Sequence, residues 1–594
     1  MDCKEKILSE NYYDVITDFA FNTNIQNNSM YDLCSINLEE KYSLIYINMQ
    51  GIQNLEENFF EYQRIPKLYA PMQDSLQNVL PDEVPGNALG DIPGGGMVFD
   101  SYDWFISGIT AVQRPPLNLT GRGVLICIID SGIDYRNPAF IDENGNSRIL
   151  ALWDQTVQSG QSPDNFPYGS LYSRQDINRA LQDENPYSIV PSRDMSGHGT
   201  RMAAVACGYI REQYIGSAPE AELVVVKLKE AKKYLRDFYL LPEGALAYQE
   251  NDIMAAMAFA DNYVVPFRRP MVYCLGVGTN QGDHNGSSVL SSYINELARK
   301  RSRAMIVCGG NEGNTGHHYR GILRETGEYR GENGEQVLGA EAEIRVAEGV
   351  QGLFLEFWGA SPDLYSVVIR SPGGEEIPAV PLGLQQSITY RFVYDSTVLT
   401  IDSEPVETAT GEQLMLFRMI APTAGIWTFR ISARGNIYNG RFDMWLPVST
   451  FLSAQVTFIT PSPDVTITEP GMTEEVITVS AYNGENNSFY INSGRGFMRL
   501  GGIKPDLAAP GVNISTLRGK ETGSSLAAAM TTGAVAQFLQ WAVVDGNNEV
   551  VETREIKQYL IRGAVREGDM SYPNELWGYG RLNLQRVFEV LAGI

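Results

Sequence analysis

An acid, an imidazole and a hydroxyl stand in three short segments that are far apart in the chain and locally unusual. The acid is Asp130, which ends the apolar run Val124–Ile129 and is followed by Ser-Gly-Ile-Asp. An acidic residue at the carboxyl end of a buried strand lies where α/β sheets place their active sites. Asp-Ser-Gly is also a good turn sequence, so this segment taken alone leaves both a site and a turn open.

The imidazole is His198, in the sequence Ser-Gly-His-Gly-Thr at Ser196–Thr200. The chain holds four histidines, and this one lies between two glycines at the start of a helical run of small residues. Glycine on both sides lets the backbone and a substrate approach the ring closely. Since a purely structural histidine does not need that space, the segment favours chemistry at the ring.

The hydroxyl is Ser525, within Thr522–Met530 (TGSSLAAAM), where a buried helix is predicted to begin. A hydroxyl at a helix N-terminus lies at the positive end of the helix dipole, beside unpaired backbone N–H groups. A developing oxyanion is stabilised at such a place. Taken alone, the same serine is also explained as a simple N-cap.

These three segments belong to an α/β pattern that covers residues 101–323 and resumes at 466–594. Unbroken apolar runs separated by helical stretches indicate a parallel sheet that is covered on both faces. The runs in the first part are Val124–Ile129, Leu223–Leu228, Met271–Leu275 and Ala304–Cys308.

The remaining segments differ from this core. Residues 1–72 hold short β-like runs and predict a small α+β module, whereas 73–100 are rich in turn residues and predict a linker or a cleavable joint. Residues 324–465 hold short alternating segments separated by turns, which is typical of a β-sandwich or jelly roll. Because the α/β pattern resumes at 466, this β-rich block is predicted to be an insertion.

The composition excludes several classes of protein. The 594 residues are 43% hydrophobic and 20% charged, which excludes wholesale disorder. The net charge of −25 would repel nucleic acid and anionic membranes, so we expect neither as a partner. Residues Leu526–Val544 are long and apolar enough for a membrane span, but their Ala, Thr and Gln content favours a buried helix instead.

The N-terminus and the cysteines bear on the compartment. Met1–Tyr13 contains no apolar region of the kind that secretory signals carry, so we expect no secretory signal and synthesis in the cytoplasm. The six cysteines show no metal-like CxxC spacing and predict buried free thiols.

Taken together, the order Asp…His…Ser with these flanking sequences resembles the subtilisin-like serine proteases, the subtilases. Asp130 in DSG, His198 in HGT and Ser525 in GSSLAAA match the motifs of that family's triad. One departure is Ser524, where the family usually has Thr, and both residues offer a small hydroxyl. The resemblance covers about 101–323 and 466–594 and implies a subtilisin-like parallel sheet flanked by helices.

Two further segments resemble parts of the subtilase active site. Residues 308–314 (CGGNEGN) are similar to the oxyanion-hole loop, which implies that the Asn311 amide donates to the oxyanion. The family's substrate-binding strand, which pairs with the peptide main chain, is matched by Tyr273, Cys274, Leu275 and Gly276.

The resemblance implies a mechanism. His198 accepts the proton of Ser525 as the hydroxyl attacks a peptide carbonyl, and Asp130 holds the imidazole in the useful tautomer. No cofactor is implied. The loop in which secreted subtilisins bind calcium is matched by Cys207–Ala218, which offers Glu212 and carbonyl groups only, so no metal is expected.

The combination of a small N-terminal module, a β-rich insertion and no signal peptide resembles the Csp-type spore-germination subtilases of clostridia. This implies that 1–72 is a prodomain whose tail lies in the cleft and is cut by Ser525 between residues 66 and 100, most favourably near Met72–Leu80. It also implies a spore-associated protein that cleaves a cortex-lytic zymogen. A prodomain-blocked signalling or binding protein, and a general protein-turnover protease, remain open alternatives.

Overall fold

A computed structural model describes residues 1–18, 32–38, 41–49, 65–72, 101–330, 336–378, 386–433 and 436–593. The predicted linker 73–100 lies outside the described residues, whereas the part of the predicted cleavage window before residue 73 lies within them.

The N-terminal module is a small antiparallel sheet with one helix. Its elements are α1 (Cys3–Leu8), β1 (Tyr12–Thr17), β2 (Leu33–Leu38) and β3 (Tyr42–Asn48), with β3 at the centre of the sheet. Strand β4 (Leu68–Pro71) follows and pairs with the next domain instead.

The cysteine prediction is wrong for two of the six residues. Cys3 and Cys34 of the N-terminal module are joined by a disulfide, which ties the first turn of helix α1 to strand β2. Cys127, Cys207, Cys274 and Cys308 are free and buried, as predicted. The spacing of 31 residues gave no local signal for the pairing, because the fold alone brings α1 onto the sheet.

The chain then forms the first part of an α/β domain. Its elements are α2 (Tyr102–Ile106), α3 (Ile109–Val112), β5 (Leu125–Asp130), β6 (Ile149–Asp154), β7 (Ser170–Ser173), α4 (Arg174–Gln182), α5 (His198–Cys207), β8 (Tyr209–Ile210), β9 (Tyr214–Ile215), β10 (Glu222–Lys227), α6 (Lys233–Phe238), β11 (Tyr248–Gln249), α7 (Glu250–Val264), β12 (Met271–Leu275), β13 (Val277–Gly278), α8 (Val289–Ala298) and β14 (Arg303–Cys308).

An all-antiparallel block interrupts this domain. Its strands are β15 (His318–Ile322), β16 (Arg324–Arg330), β17 (Gln336–Val346), β18 (Gly352–Gly359), β19 (Tyr365–Arg370), β20 (Glu376–Ile377), β21 (Gln386–Arg391), β22 (Val398–Glu404), β23 (Gln413–Ile420), β24 (Gly425–Ala433), β25 (Arg441–Trp445) and β26 (Val456–Phe458). They form two sheets, ordered β15-β25-β18-β23-β22-β21 and β16-β17-β24-β19-β20, with β26 beside β17. Apolar side chains of both sheets, such as Phe417 and Phe429, meet in one core, which makes this block a sandwich.

The α/β domain resumes after the insertion. Its elements are β27 (Ile477–Asn483), β28 (Ser488–Phe489), β29 (Leu507–Pro510), β30 (Ile514–Thr516), β31 (Gly519–Glu521), α9 (Ser524–Leu539), α10 (Thr553–Gly563) and α11 (Leu584–Ala592).

The two α/β parts build one sheet, ordered β28-β27-β14-β12-β5-β10-β6-β7, with β29 beside β27. Strands β27, β14, β12, β5, β10 and β6 run parallel, and every residue of β5 is buried because helices cover both faces. The predicted fold class is confirmed: a subtilisin-like parallel sheet flanked by helices, with a small α+β module before it and an antiparallel sandwich inserted.

Helix α9 crosses the sheet and is buried along its whole length. Within the described residues, Ser524–Val544 is the one helical stretch that is long and apolar enough to cross a membrane, and 83% of its most apolar window is buried inside the fold. Burial of this kind is what a core helix shows.

Candidate active site

The fold brings Asp130, His198 and Ser525 together although 327 residues separate the last two. Asp130 is the last residue of β5, His198 is the first of α5 and Ser525 is the second of α9. The His198 Nδ1 atom lies 2.8 and 2.9 Å from the two carboxylate oxygens of Asp130, and Nε2 lies 3.1 Å from Ser525 Oγ. All three residues are at most 2% exposed, so water does not compete for these hydrogen bonds.

Glycines allow the histidine helix to begin where it does. Gly197, which precedes His198, adopts a left-handed conformation with φ of 71°. A Cβ atom on Gly199 would lie 2.2 Å from the Gly132 carbonyl oxygen, so only glycine lets α5 approach the end of β5 this closely. The sequence argument that the flanking glycines provide close approach therefore has a specific geometric basis at each position.

Asp194 holds the loop that leads to the histidine, and the sequence analysis did not single it out. Its carboxylate accepts hydrogen bonds from the Gly197 N–H (2.8 Å), the Thr200 N–H (2.9 Å) and the Thr200 hydroxyl (2.6 Å). It also accepts the Ser131 hydroxyl at 2.8 Å, which links the His198 loop to the end of β5. The available signal was an acidic residue just ahead of a helix N-terminus, where it caps free N–H groups.

The electrostatics of the site keep Asp130 ionised. Burial by itself raises the pKa of this carboxyl, but His198 and the Ser131 N–H, which donates at 2.7 Å, outweigh burial and hold the pKa below its ordinary value. A carboxylate is therefore present opposite the imidazole Nδ1 atom, which is the arrangement that favours a proton on Nδ1 and leaves Nε2 free to accept one.

Asn311 lies in the loop after β14 and faces the start of α9. Its Oδ1 atom accepts the Ser524 N–H at 3.0 Å, so its Nδ2 group points the other way. That Nδ2 atom is buried and has no hydrogen-bond partner among the described residues. A Cβ atom on Gly523 would lie 3.7 Å from Asn311 Nδ2, 3.4 Å from Ser525 Oγ and 3.3 Å from the carbonyl oxygen of Met72. An amide donor, a hydroxyl and a peptide carbonyl thus converge on one point.

The Met72 carbonyl belongs to residues 65–72, a segment that we call the tail. The tail occupies the space in front of Ser525 and Asn311, which we call the cleft. Strand β4 of the tail lies between β11 and β13 and pairs antiparallel with both. The Met72 N–H donates to the Gly276 carbonyl at 2.8 Å. Residues Leu68–Ala70 are fully buried, so the tail is held as an extended peptide would be held by an endopeptidase.

The predicted substrate-binding segment is displaced along the chain. Tyr273, Cys274 and Leu275 lie inside β12, where the main chain pairs with β5 on one side and β14 on the other. A strand with neighbours on both sides has no edge left for a peptide. Gly276 does contact the tail, and a Cβ atom there would lie 2.9 Å from His198 Cε1, which explains why glycine stands beside the imidazole.

Four groups that the sequence analysis missed hold the tail. They are β11, β13, the Gln281 side chain, whose Oε1 atom accepts the Leu68 N–H at 2.9 Å, and Glu250, whose carboxylate accepts the Lys67 N–H at 3.0 Å. Strands β11 and β13 are two residues long and carry no periodic pattern, so sequence offered no signal for them. Within the described ranges, no group of three or more His, Cys, Asp or Glu side chains is arranged to hold a metal ion.

Comparisons with known proteins agree with this architecture. The model of the subtilase family matches residues 121–344 and 418–580. The solved structure of the CspB protease of Clostridium perfringens has a TM-score of 0.72 and 30% sequence identity, and the match covers 83% of this chain and 98% of that one.

Two curated proteins match a shorter part of the chain. The serine protease AprX of Bacillus subtilis is 30% identical over 145 residues, which are 20% of this chain and 31% of AprX. An uncharacterized protein of Aquifex aeolicus is 29% identical over 140 residues, which are 19% of this chain and 60% of that protein. The match thus spans less than two thirds of either curated relative.

Proposed function

The chain belongs to the subtilase family, with the architecture of its Csp-type members, and is a serine endopeptidase; from this premise we propose that Asp130, His198 and Ser525 carry its reaction and that its first substrate is its own tail. The observation that carries the proposal is the position of the Met72 carbonyl: its oxygen, Ser525 Oγ and Asn311 Nδ2 all lie within 3.7 Å of the point that a Cβ atom on Gly523 would occupy.

The chemistry follows from the distances. Ser525 is a weak nucleophile until a base removes its proton, and His198 Nε2 lies 3.1 Å from the hydroxyl. Asp130 orients the ring and stabilises the imidazolium that forms. The oxyanion would receive hydrogen bonds from Asn311 Nδ2 and the Ser525 N–H, and His198 then returns the proton to the leaving amine.

The bond that follows Met72 is the proposed site of self-cleavage. The Met72 carbonyl oxygen lies near the start of α9, close to the position of Ser525 Oγ, and the Met72 N–H donates to the Gly276 carbonyl. Together with the pairing of β4 with β13, these contacts fix the register of the tail. This choice lies within the predicted window of 66–100. The next residue, Gln73, lies outside the described residues.

After the cut, the N-terminal fragment stays bound and inhibits the enzyme. The tail is buried between two strands, and the module is joined to the catalytic part by the ion pair of Asp14 with Lys232, whose side chains are 1% and 4% exposed. Release of the fragment would have to break both contacts together. For the enzyme freed of its fragment we propose a protein substrate in the spore, a cortex-lytic zymogen, as the Csp-type resemblance implies.

The test is the intact mass of the purified protein beside its Ser525→Ala variant. We expect two fragments from the wild type, divided after Met72, and one full-length chain from the variant. A wild type that remains whole would favour a prodomain-blocked binding protein. Labelling of Ser525 by a fluorophosphonate probe would then show a reactive and accessible serine, which a binding protein blocked by its prodomain does not have.

A further inference from the structure

Lys67 lies five residues before the residue whose bond is proposed to be cut, and its side chain is completely buried. Its relative exposure is 0%, a rare state for a lysine unless carboxylates surround it. Its main chain is held by Glu250, whose N–H donates to the Lys67 carbonyl at 3.0 Å and whose carboxylate accepts the Lys67 N–H at 3.0 Å. The same carboxylate accepts the Leu290 N–H at 3.1 Å, so Glu250 recognises backbone that any residue would offer.

The side chain of Lys67 extends into a different acidic environment. A Cβ atom on Gly282 would lie 3.5 Å from Glu469 Cγ and 4.0 Å from Lys67 Cε, so the lysine and glutamate side chains both pass close to this glycine. Glu469 is 0% exposed and Asp283, the next residue after Gly282, is 3% exposed. Glu356, from the inserted sandwich, accepts the Gly282 N–H at 3.0 Å and adds a further buried carboxylate.

Hydrogen bonds fix the two nearest carboxylates in place before any peptide arrives. Glu469 accepts the Gly286 N–H at 3.2 Å and the Ser291 hydroxyl at 3.3 Å. Asp283 accepts the Ser287 hydroxyl at 2.8 Å and the Asn285 N–H at 3.2 Å. These donors all belong to the catalytic part, so the site persists when the tail is replaced by another peptide.

The charges of Lys67 and Glu469 interact. Burial and, after it, the charge of Asp283 raise the pKa of Glu469 to about 8, whereas the Lys67 ammonium acts in the opposite direction. A positive side chain from the peptide therefore offsets the repulsion between Glu469 and Asp283, which both belong to the catalytic part.

We propose that Glu469 and Asp283 form a subsite for a basic side chain, which selects peptides with lysine or arginine at the sixth residue counted back from the cut bond. The inference rests on the proposed cleavage after Met72. It defines a substrate class: extended protein segments that resemble Lys67–Met72 (KLYAPM) and carry a cation at that distance from the bond.

The first test follows self-cleavage by intact mass over time in three variants. Lys67→Met keeps the length of the side chain and removes its charge, and we expect cleavage about tenfold slower or worse, because a buried carboxylate loses its partner. Lys67→Arg keeps the charge and should stay within about threefold of the wild type. The matched control is Lys41→Met, which removes a module lysine that pairs with Glu296 at the surface, outside the cleft, and should leave the rate unchanged.

A rescue variant separates recognition from folding. Lys67→Met combined with Glu469→Gln removes the cation and one of the two opposing carboxylates, and cleavage should recover at least about threefold over the single variant. If Lys67→Met fails to fold, two fluorogenic hexapeptides decide, added to processed wild type that has been separated from its N-terminal fragment: the KLYAPM substrate should have a kcat/KM about tenfold above the MLYAPM substrate.

The possible failures are distinguishable. An uncut wild type overturns the proposed self-cleavage and the subsite with it. A wild type that is cut after Met72, with Lys67→Met or the MLYAPM peptide cut equally fast, overturns the subsite alone and leaves the proposed function standing.

Discussion

At the scale of single residues, the site depends on polar atoms that are buried and aimed before any substrate carbonyl becomes charged. The two ring nitrogens of His198 contact different residues: Nδ1 lies 2.8 Å from the Asp130 carboxylate and Nε2 lies 3.1 Å from the Ser525 hydroxyl. The Asn311 amide is fixed by one hydrogen bond to the Ser524 N–H and keeps its own donor group for the cleft. Donors oriented in advance need no reorganisation at the moment of reaction, and this is why they stabilise the transition state.

Replacing Asn311 by alanine should slow the enzyme without unfolding it. Loss of one oxyanion donor lowers kcat by about 10²–10³ and leaves KM nearly unchanged, because the ground-state peptide is held by β-pairing instead. Steady-state kinetics with a peptide substrate, on enzyme separated from its N-terminal fragment, together with the thermal midpoint, measures both effects. Asn314→Ala, an exposed asparagine in the same loop, is the matched control. Wild-type kcat in Asn311→Ala would contradict the assigned role.

At the scale of secondary structure, the site is formed where the ends of β5, α5 and α9 meet. Three glycines let the elements around this junction approach closely, each for a different steric reason. Gly197 supplies a left-handed turn, Gly199 lets two backbones touch, and Gly276 lets the substrate strand pass the imidazole. The approach of α5 to β5 therefore has no room for a side chain.

Gly199→Ala should destabilise the protein and prevent self-cleavage. Its Cβ atom would lie 2.2 Å from the Gly132 carbonyl oxygen, so α5 must move away from Asp130 at a cost of about 1–3 kcal/mol or more. The thermal midpoint and the intact mass report the two consequences. Gly568→Ala is the control, because no atom lies within 4 Å of its added Cβ. Normal processing in Gly199→Ala would show that the helix start tolerates displacement.

At the scale of the whole molecule, the catalytic part contacts both the N-terminal segment and the inserted sandwich. The tail lies between β11 and β13 of the catalytic part, and the sandwich contacts the catalytic part through the Trp445 ring. That ring lies between His284 of the catalytic part and His318, at centroid distances of 4.2 and 4.7 Å. Phe354 of the sandwich packs on Tyr239 at 5.0 Å, so the insertion is anchored at more than one place.

Asp14→Ala should loosen the hold of the catalytic part on the cleaved module. The Asp14 carboxylate accepts hydrogen bonds from Lys232 Nζ and from the Tyr234 hydroxyl, and its loss leaves a buried ammonium without its partner. The wild-type fragment should co-elute with the enzyme in gel filtration, and the variant's fragment should dissociate about a hundredfold faster.

The control for that experiment lies within the same module. Asp32→Ala removes a carboxylate that pairs with Lys6, so it tests loss of an ion pair that does not cross to the catalytic part. Equal retention of the fragment in Asp14→Ala and wild type would mean that this ion pair does not limit release of the fragment.

The sequence predicts those parts of the site whose signal lies in neighbouring residues. The candidate acid, base and nucleophile are each marked by neighbours within a few residues, because a strand end, a glycine pair and a helix start are local features. The substrate-binding segment was expected at Tyr273–Gly276, whereas the tail pairs with Val277–Gly278 just after it, because only strand pairing distinguishes an interior strand from one with a free edge.

The sequence by itself determined the α/β class, the β-rich insertion and the three segments that hold the candidate acid, base and nucleophile. Periodicity and flanking glycines are properties of neighbouring residues. Tertiary structure alone decided that the triad side chains meet, that β4 enters the cleft, and that Lys67 lies near Glu469, which is 402 positions further along the chain. Contacts of that range depend on how sheets and helices pack, and no local pattern encodes them.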